Sequence, residues 1–498
     1  MLYESTRGRS RPVSASEAIK LGIAPDGGLF VPERVVVSAP DEIERMSQLD
    51  YRQRAALVLS RFLTDFDQAE LIQSVNGAYN QDKFTVPEIA PVRSVSGDMH
   101  FLELWHGPTC AFKDMALQIL PHLLMRAVAK TGETAEIVIL VATSGDTGKA
   151  ALEGFRDVSG TRIIVFFPAE GVSEMQRLQM VTQEGGNVHV IAVRGNFDDT
   201  QSGVKAIFAD PSVNAALHRH GRRFSSANSI NWGRLVPQVA YYFSAYLDLR
   251  ERGALGPGQA VNFVVPTGNF GNILAAFYAR RMGLPVNRLI CAANRNNVLT
   301  DFIRTGTYDR NRTFYRTVSP SMDILISSNL ERLLFEMTGR DAARVDAWMS
   351  ALRENGRYQV DPATREQVSR LFWSDFADEE ETMDEIRSTW QDHRYLIDPH
   401  TAVGKAVLDK YKAATGDNTP AVVVSTASPF KFNQAVARVL LGAPETKNKT
   451  EFELLEALAA GTGLEIPPGL RGLDGKPVRH RMVVDKEQMQ QAVLDILS

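Results

Sequence analysis

Four short loops hold most of the residues that could do chemistry. The first, Glu103-Leu-Trp-His-Gly-Pro-Thr-Cys-Ala-Phe-Lys-Asp114, uses a Gly-Pro turn to set Lys113 at the start of an apolar helix. The positive end of the helix dipole and any burial both favour the neutral amine that a Schiff-base lysine requires. Taken alone, the segment fits a surface lysine on a first helical turn better than a catalytic one. The second loop, Thr143-Ser-Gly-Asp-Thr-Gly148, opens the helix through Lys149-Ala150-Ala151. Its amides, with the Ser144 and Thr147 hydroxyls, suit a carboxylate or phosphate, whereas Asp146 also reads as a plain helix cap. The third, Pro266-Thr-Gly-Asn-Phe-Gly-Asn272, again aims amides at one anion. It is not Gly-x-Gly-x-x-Gly and no Walker lysine follows, which argues against a dinucleotide or P-loop site. The fourth, Ser425-Thr-Ala-Ser-Pro-Phe-Lys-Phe432, puts hydroxyls where they can meet a ring nitrogen or a phosphate; alone, it is an ordinary turn.

The elements that must position these loops read as α/β. Short β-branched runs (Ile137–Ala142, Arg162–Phe167, Val188–Val193, Val261–Val265, Leu289–Ala293 and Ala421–Ser425) are followed by small or polar residues and then by helical patterns. Near-continuous apolar strands alternating with helices mark parallel sheets covered on both faces. Helices are predicted over Met115–Val128, Arg234–Leu249, Ile273–Met282 and Phe432–Leu441. Three of the loops directly follow such strands, where open α/β sheets place their ligands.

The chain has 498 residues, beyond the roughly 250–300 that one core supports. We expect residues 1–95 to form a mostly helical N-terminal domain and 96–195 a small α/β domain. Residues 196–465 form a larger α/β domain in this reading, and 466–498 an appendage after Pro467-Pro468. Residues 300–395 read as a charged helical layer, with the acidic run Asp378–Glu381 and Asp384-Glu385 as a solvated face rather than a cation site. The net charge of −4 comes without a Lys/Arg block, so neither nucleic acid nor a membrane surface is expected as a partner. No apolar run approaches the roughly 20 residues of a membrane span. The two distant cysteines, Cys110 and Cys291, suggest reduced thiols and a cytoplasmic location, with no metal.

Together the four loops resemble threonine synthase, within the tryptophan-synthase-β-like (fold type II) group of pyridoxal-phosphate enzymes. His106-Gly-Pro-Thr-Cys-Ala-Phe-Lys-Asp114 looks like that family's cofactor-lysine motif, Ser144-Gly-Asp-Thr-Gly148 like its substrate-carboxylate loop, and Pro266–Asn272 like its phosphate cup. The likeness extends to Asp26-Gly-Gly-Leu-Phe-Val-Pro32, Ser226–Asn231, Ser321-Met-Asp323, Ser327–Arg332 and Asp398-Pro-His-Thr-Ala-Val-Gly404. It implies two α/β domains around a pyridoxal 5'-phosphate cleft and a reaction that turns O-phospho-L-homoserine and water into L-threonine and phosphate.

On the same resemblance, Lys113 is the Schiff-base lysine and proton carrier. Gly268, Asn269, Phe270, Gly271 and Asn272 hold the cofactor phosphate, and Thr426 meets the pyridine nitrogen. Ser144, Asp146 and Thr147 surround the substrate carboxylate. Asn231, Arg234, Ser327, Asn329 and Arg332 are candidates for the substrate phosphate, because guanidinium and amide groups suit it. Ser428 stands where some members have histidine, which leaves the base that activates water open; His106 is the nearest alternative, although a Trp-His-Gly turn histidine is more often structural. A monomer or homodimer is expected. A lyase or dehydratase of the same fold, and a non-catalytic relative that binds the same ligands, are the competing readings.

Overall fold

The structure, a computed structural model, describes residues 1–143 and 145–497. All six predicted strands form, and they divide between two sheets. One has five strands in the order Met482–Asp485, Val188–Arg194, Thr161–Pro168, Glu136–Ala142, Arg222–Ser225, all parallel. Its central strands bury both faces: Ile137, Ile139 and Val141 join the main core, while Val138 and Leu140 join a second cluster with Ile164, Phe166 and Val193. With a side-chain period of two, a strand buried on both faces must be apolar throughout, which is why it was readable as a continuous run.

The other sheet has six strands in the order Phe372–Phe376, Val286–Ala293, Val261–Pro266, Ala421–Ser425, Met99–Glu103, Val92–Ser96. Only the last pair, a hairpin, is antiparallel. Three of the expected domain limits are corrected by these pairings. Met99–Glu103 lies beside Ala421–Ser425, so the large sheet begins well before residue 196. Arg222–Ser225 pairs with Glu136–Ile139 and belongs to the small sheet. Met482–Asp485 forms that sheet's edge against Ile191–Arg194, so the C-terminal segment completes the small domain rather than hanging from it. The helix Met489–Leu497 then covers the second cluster with Met489 and Val493. Strand pairing joins segments hundreds of residues apart, and local pattern carries no trace of it.

The N-terminal region is not purely helical. Val13–Ser14, Leu2–Ser5 and Phe30–Pro32 make a three-stranded antiparallel sheet, with strands too short for periodicity to reveal. This region is fused to the large domain through aromatic edges: Trp232 meets Tyr3 at 5.4 Å, Phe62 at 5.6 Å and Tyr278 at 5.3 Å between ring centroids. The acidic run lies on the helix Glu379–His393, where Asp378 and Glu381 form a capping box and Asp384 and Glu385 pair with Arg387 and Lys405. Among the described residues no helix is long and apolar enough to cross a membrane.

Candidate active site

The turn that carries Lys113 is held from both sides. Asp114 accepts hydrogen bonds from the Thr109 amide and hydroxyl, both at 2.8 Å. Gly107 is required there, since a Cβ would stand 2.6 Å from the Asp114 carboxylate. Burial pushes the Asp114 carboxyl up to about 6 against those two hydrogen bonds. On the other side the segment pairs with the fourth loop: Ala111 bridges Ala427, the Phe112 amide donates to Thr426 O at 2.8 Å, and the Ser428 amide donates to Cys110 O at 3.0 Å. Lys113 and Thr426 are therefore brought together by backbone. The predicted helix Met115–Val128 is two pieces, Asp114–Leu117 and Leu120–Lys130, the second having Pro121 in its first turn.

The Lys113 amine lies 3.7 Å from Asp146 Oδ2 and 3.5 Å from Ser321 Oγ, its side chain 14% exposed. Burial drives its proton affinity below that of an ordinary lysine; Asp146 opposes the shift, and Lys431 and Arg234 reinforce it. Asp146 opens the helix Asp146–Phe155 and is itself saturated: Lys431 Nζ at 3.1 Å and Gln176 Nε2 at 3.0 Å reach Oδ1, and Ser321 Oγ at 2.9 Å reaches Oδ2. Burial alone would raise its carboxyl, but the two lysines overturn that and hold it far below the carboxylate range. In the same turn the Thr143 hydroxyl accepts the amides of Gly145 and Gly148, at 3.0 and 2.9 Å. Thr147 is half-buried on the first turn of the helix. Ser144 lies outside the described residues.

The third loop is built the opposite way. Phe270, left-handed at φ 61°, ends the loop, and Gly271–Arg281 forms the helix. The carbonyls of Gly268 and Asn269 are engaged by Ser327 Oγ (2.7 Å), the Asn329 amide (3.1 Å) and Asn329 Nδ2 (3.0 Å). The amides of residues 268–273 donate to no protein group among the described residues. Asn272 Oδ1 accepts the Tyr241 and Tyr242 hydroxyls, both at 2.6 Å, while its buried Nδ2 has no partner. A Cβ on Gly268 would stand 2.7 Å from Ser321 O, so only glycine permits this approach. Open amides at a helix N-terminus, with an unpartnered buried donor beside them, are what a phosphate needs.

The five substrate-phosphate candidates separate. Asn231 caps the helix Trp232–Glu251 and bonds Ile19 O and Ser226 O, both at 2.9 Å. Arg332, fully buried, reaches Phe30 O, Ile230 O and Asn329 Oδ1. With Ser327 and Asn329 gripping the third loop, these four side chains have polar atoms engaged by protein groups. Arg234 differs: it is 4% exposed, and among the described residues its guanidinium bonds Ala227 O alone and keeps a buried Nε without a partner. Burial lowers its guanidinium to about 10, with no carboxylate countering.

His106 has both ring nitrogens engaged, by Glu103 Oε2 at 2.8 Å and Thr85 Oγ1 at 3.2 Å, a structural arrangement. Sequence reasoning missed Ser321, Gln176, Lys431 and His400. His400 pairs with Asp398 Oδ1 at 2.6 Å and accepts the Ser321 amide at 3.1 Å. Ser321 and His400 lie in segments that carry the family resemblance and Lys431 lies in the fourth loop, but none is assigned a role by it, and Gln176 is not marked at all.

Comparison with known proteins bears on this geometry. Family models match residues 2–79 (threonine synthase N terminus), 90–371 (pyridoxal-phosphate dependent enzyme) and 401–493 (threonine synthase, C-terminal). A threonine synthase of Pseudomonas aeruginosa is 41% identical over 446 residues, covering 89% of this chain and 91% of that one. The chain belongs to the threonine synthase family. Human threonine synthase-like 1 is 42% identical over 463 residues, 91% of this chain, which spans only 61% of that protein's length. The pyridoxal-phosphate-bound threonine synthase of Brucella melitensis superposes with a TM-score of 0.87 at 36% identity, covering 100% of this chain and 99% of that one. The yeast enzyme gives 0.88 at 34%, covering 100% and 98%. Pyridoxal phosphate is the family's cofactor, and the Lys113 amine and the open amides of residues 268–273 suit a group that carries an aldehyde and a phosphate.

Proposed function

We propose that this chain converts O-phospho-L-homoserine and water into L-threonine and phosphate, with Lys113 holding the cofactor. The observation that carries the reading is that two anion seats serve one half-buried lysine. The amides of residues 268–273 form the first, and the unpaired guanidinium of Arg234, whose charge acts on Lys113, forms the second. A cofactor phosphate and a substrate phosphate fill both.

When bound, pyridoxal phosphate supplies an electron sink that acidifies C–H bonds of an attached amino acid. Lys113 takes the proton from Cα and returns it, and its lowered proton affinity favours the neutral amine that this requires. Thr426 offers the pyridine nitrogen a neutral hydroxyl, which leaves the ring less strongly protonated than a carboxylate would. Thr147, with Ser144, receives the substrate carboxylate. Asp146 does not touch it, since its oxygens are taken, and it instead fixes Lys113 and Ser321. Arg234 orients the substrate phosphate for departure from Cγ. A cytoplasmic location agrees with Cys110 and Cys291 being buried and unpaired, with burial pushing both thiols up to about 12.

The test is to supply O-phosphohomoserine to the cofactor-loaded protein and follow phosphate and threonine together. Equal release establishes the reaction. Phosphate accompanied by a 2-oxo acid makes the protein a lyase of the same fold, and failure to take up cofactor defeats the roles given to Lys113 and the third loop.

A further inference from the structure

One lysine beyond Lys113 lies inside the site. Lys431 is on the short turn Pro429–Phe432, and its side chain is fully buried. Its Nζ donates to Thr109 O at 2.7 Å and pairs with Asp146 Oδ1 at 3.1 Å. It thereby ties together three of the four loops: its own, the Lys113 turn through Thr109, and the helix start at Asp146. Two lysines thus share one carboxylate, and unequally. Lys431 holds its oxygen at hydrogen-bond distance and has a carbonyl as well, whereas Lys113 stands 3.7 Å from the other oxygen with only a hydroxyl at 3.5 Å.

We propose that Lys431 is a positioning residue for Lys113: by taking Asp146 as its own counter-ion, it leaves the Lys113 amine free to shed its proton. The proposal rests on Lys113 being the cofactor lysine. The charged groups facing Lys113 are Asp146 from the helix Asp146–Phe155, Lys431 from its turn and Arg234 from the helix Trp232–Glu251. His400, backed by Asp398, touches it only through Ser321, and Asp114, next to it in the chain, is bonded to Thr109. With all three basic groups protonated the cluster holds three cations against one carboxylate. Buried charge of one sign is relieved by losing a proton where the ion pair is weakest. That place is Lys113, and burial lowers its proton affinity further. Attack on an aldehyde requires the neutral amine, so the arrangement primes the lysine before any ligand arrives.

The test measures Lys113 directly. Cofactor-free protein is acylated with acetic anhydride across pH, and the Lys113 peptide is quantified by mass spectrometry. In the wild-type chain Lys113 should titrate below the ordinary lysine value of about 10.4; a midpoint at or above it overturns the proposal without any variant. In Lys431→Met, Asp146 has only Lys113 as a cation, and the midpoint should rise by about one unit or more, a tenfold smaller neutral fraction at a given pH. Cofactor incorporation, followed by absorbance, should shift to higher pH in parallel, and Lys431→Arg should restore both profiles. An unchanged midpoint in Lys431→Met overturns the proposal. Should that variant not fold because Asp146 is left under-paired, Lys431→Met with Asp146→Asn removes the pair together; its Lys113 midpoint should stay at or below the wild-type value, and a rise overturns the proposal. Borohydride reduction of the cofactor-loaded protein separates this idea from its premise: a pyridoxyl group on a lysine other than Lys113 defeats both, whereas an altered titration outcome defeats only the role of Lys431.

Discussion

Residues 143–148 and 266–272 look alike in the sequence, each a glycine-bearing turn between a buried strand and a helix, yet they are built to opposite ends. The first is closed by the protein's own groups. Thr143 takes two of its amides, and Asp146 places a carboxylate at the helix start, where Lys431, Gln176 and Ser321 saturate it. The second carries no acid; its carbonyls are gripped from behind by Ser327 and Asn329 while its amides stay open. A helix N-terminus attracts an anion in either case. What differs is whether the chain supplies that anion itself or leaves the seat for a ligand, and Lys113 stands where both arrangements meet.

Removing that meeting point has the largest expected effect. Lys113→Ala should lower turnover by at least about 10⁴-fold, the upper end for a positioned proton carrier, with the covalent anchor lost as well. The cofactor's visible Schiff-base band should vanish with it, and a variant that retained more than trace activity would falsify the assignment. Arg234→Met comes next. Losing a buried charged contact to phosphate should raise KM by roughly 10- to 100-fold with a smaller change in kcat. Because Arg234 is buried without a carboxylate partner, the same variant should melt at an equal or higher temperature than wild type. A loss of both affinity and stability would mean that Arg234 is structural.

The two turns can then be set against each other with one methyl group. In Gly268→Ala the new Cβ meets the backbone oxygen of Ser321 at 2.7 Å, so the third loop must move. Overpacking of this kind costs about 1–3 kcal/mol, and it should be read chiefly as a roughly tenfold weaker cofactor affinity. In Gly145→Ala the residue sits at φ 146°, and the Cβ meets the end of the Gln176 side chain at 2.5 Å. That change should lower stability by about 1–3 kcal/mol through backbone strain, while cofactor affinity, measured by titration, changes little. Equal effects of the two substitutions on cofactor binding would dissolve the distinction between a closed turn and an open one.

The sequence was informative where burial forces a local signature. Strands such as Ile137–Ala142 must be apolar on both sides and were legible for that reason, whereas the Lys113 turn read on its own as a surface lysine and stood out only in the joint resemblance of the four loops. Met99-His-Phe-Leu-Glu103 was not: His100 and Glu103 break its apolar run because each has a side-chain partner, Ser94 for one and His106 with Tyr395 for the other. Phe372–Phe376 was hidden in the same way, its Ser374 hydroxyl bonded to Cys291 O at 2.7 Å. The protein partners of the phosphate candidates were hidden for a different reason. Asn231, Asn329 and Arg332 have the chemistry of phosphate ligands, and only three-dimensional neighbours reveal that backbone carbonyls already occupy them. Lys431 and His400 are separated from Lys113 by some 300 residues, a pairing that local spacing does not encode.

The smallest expected effect separates the sheets that carry the two turns by their response to acid. His189, on the strand Val188–Arg194 of the five-stranded sheet, has a buried Nε2 without a partner, and burial followed by the charges of Arg162 and His480 lowers the ring to about 4. An unfolded histidine titrates near 6.5. Between those values the unfolded chain binds the proton that the folded one refuses, so stability is fully present above about 6.5 and falls as pH drops toward 4. Asp146 runs the other way in cause but not in consequence. Its carboxyl is held so low that the folded protein stays ionised there through the same window, and its own contribution begins to fade only below the ordinary carboxylate value of about 3.9. Thermal melts from pH 7 to pH 5 should therefore show a drop of a few degrees that belongs to buried histidines, His189 on this sheet and His122 on the helix Leu120–Lys130, which burial also lowers to about 4, and not to the active-site carboxylate. His189→Gln removes one of these titrating groups and should reduce that slope, with His122→Gln reducing it further, while the pH dependence of cofactor uptake stays unchanged. If the slope is undiminished in His189→Gln, the acid sensitivity arises elsewhere; if cofactor uptake shifts with it, the sheet and the closed turn are not independent.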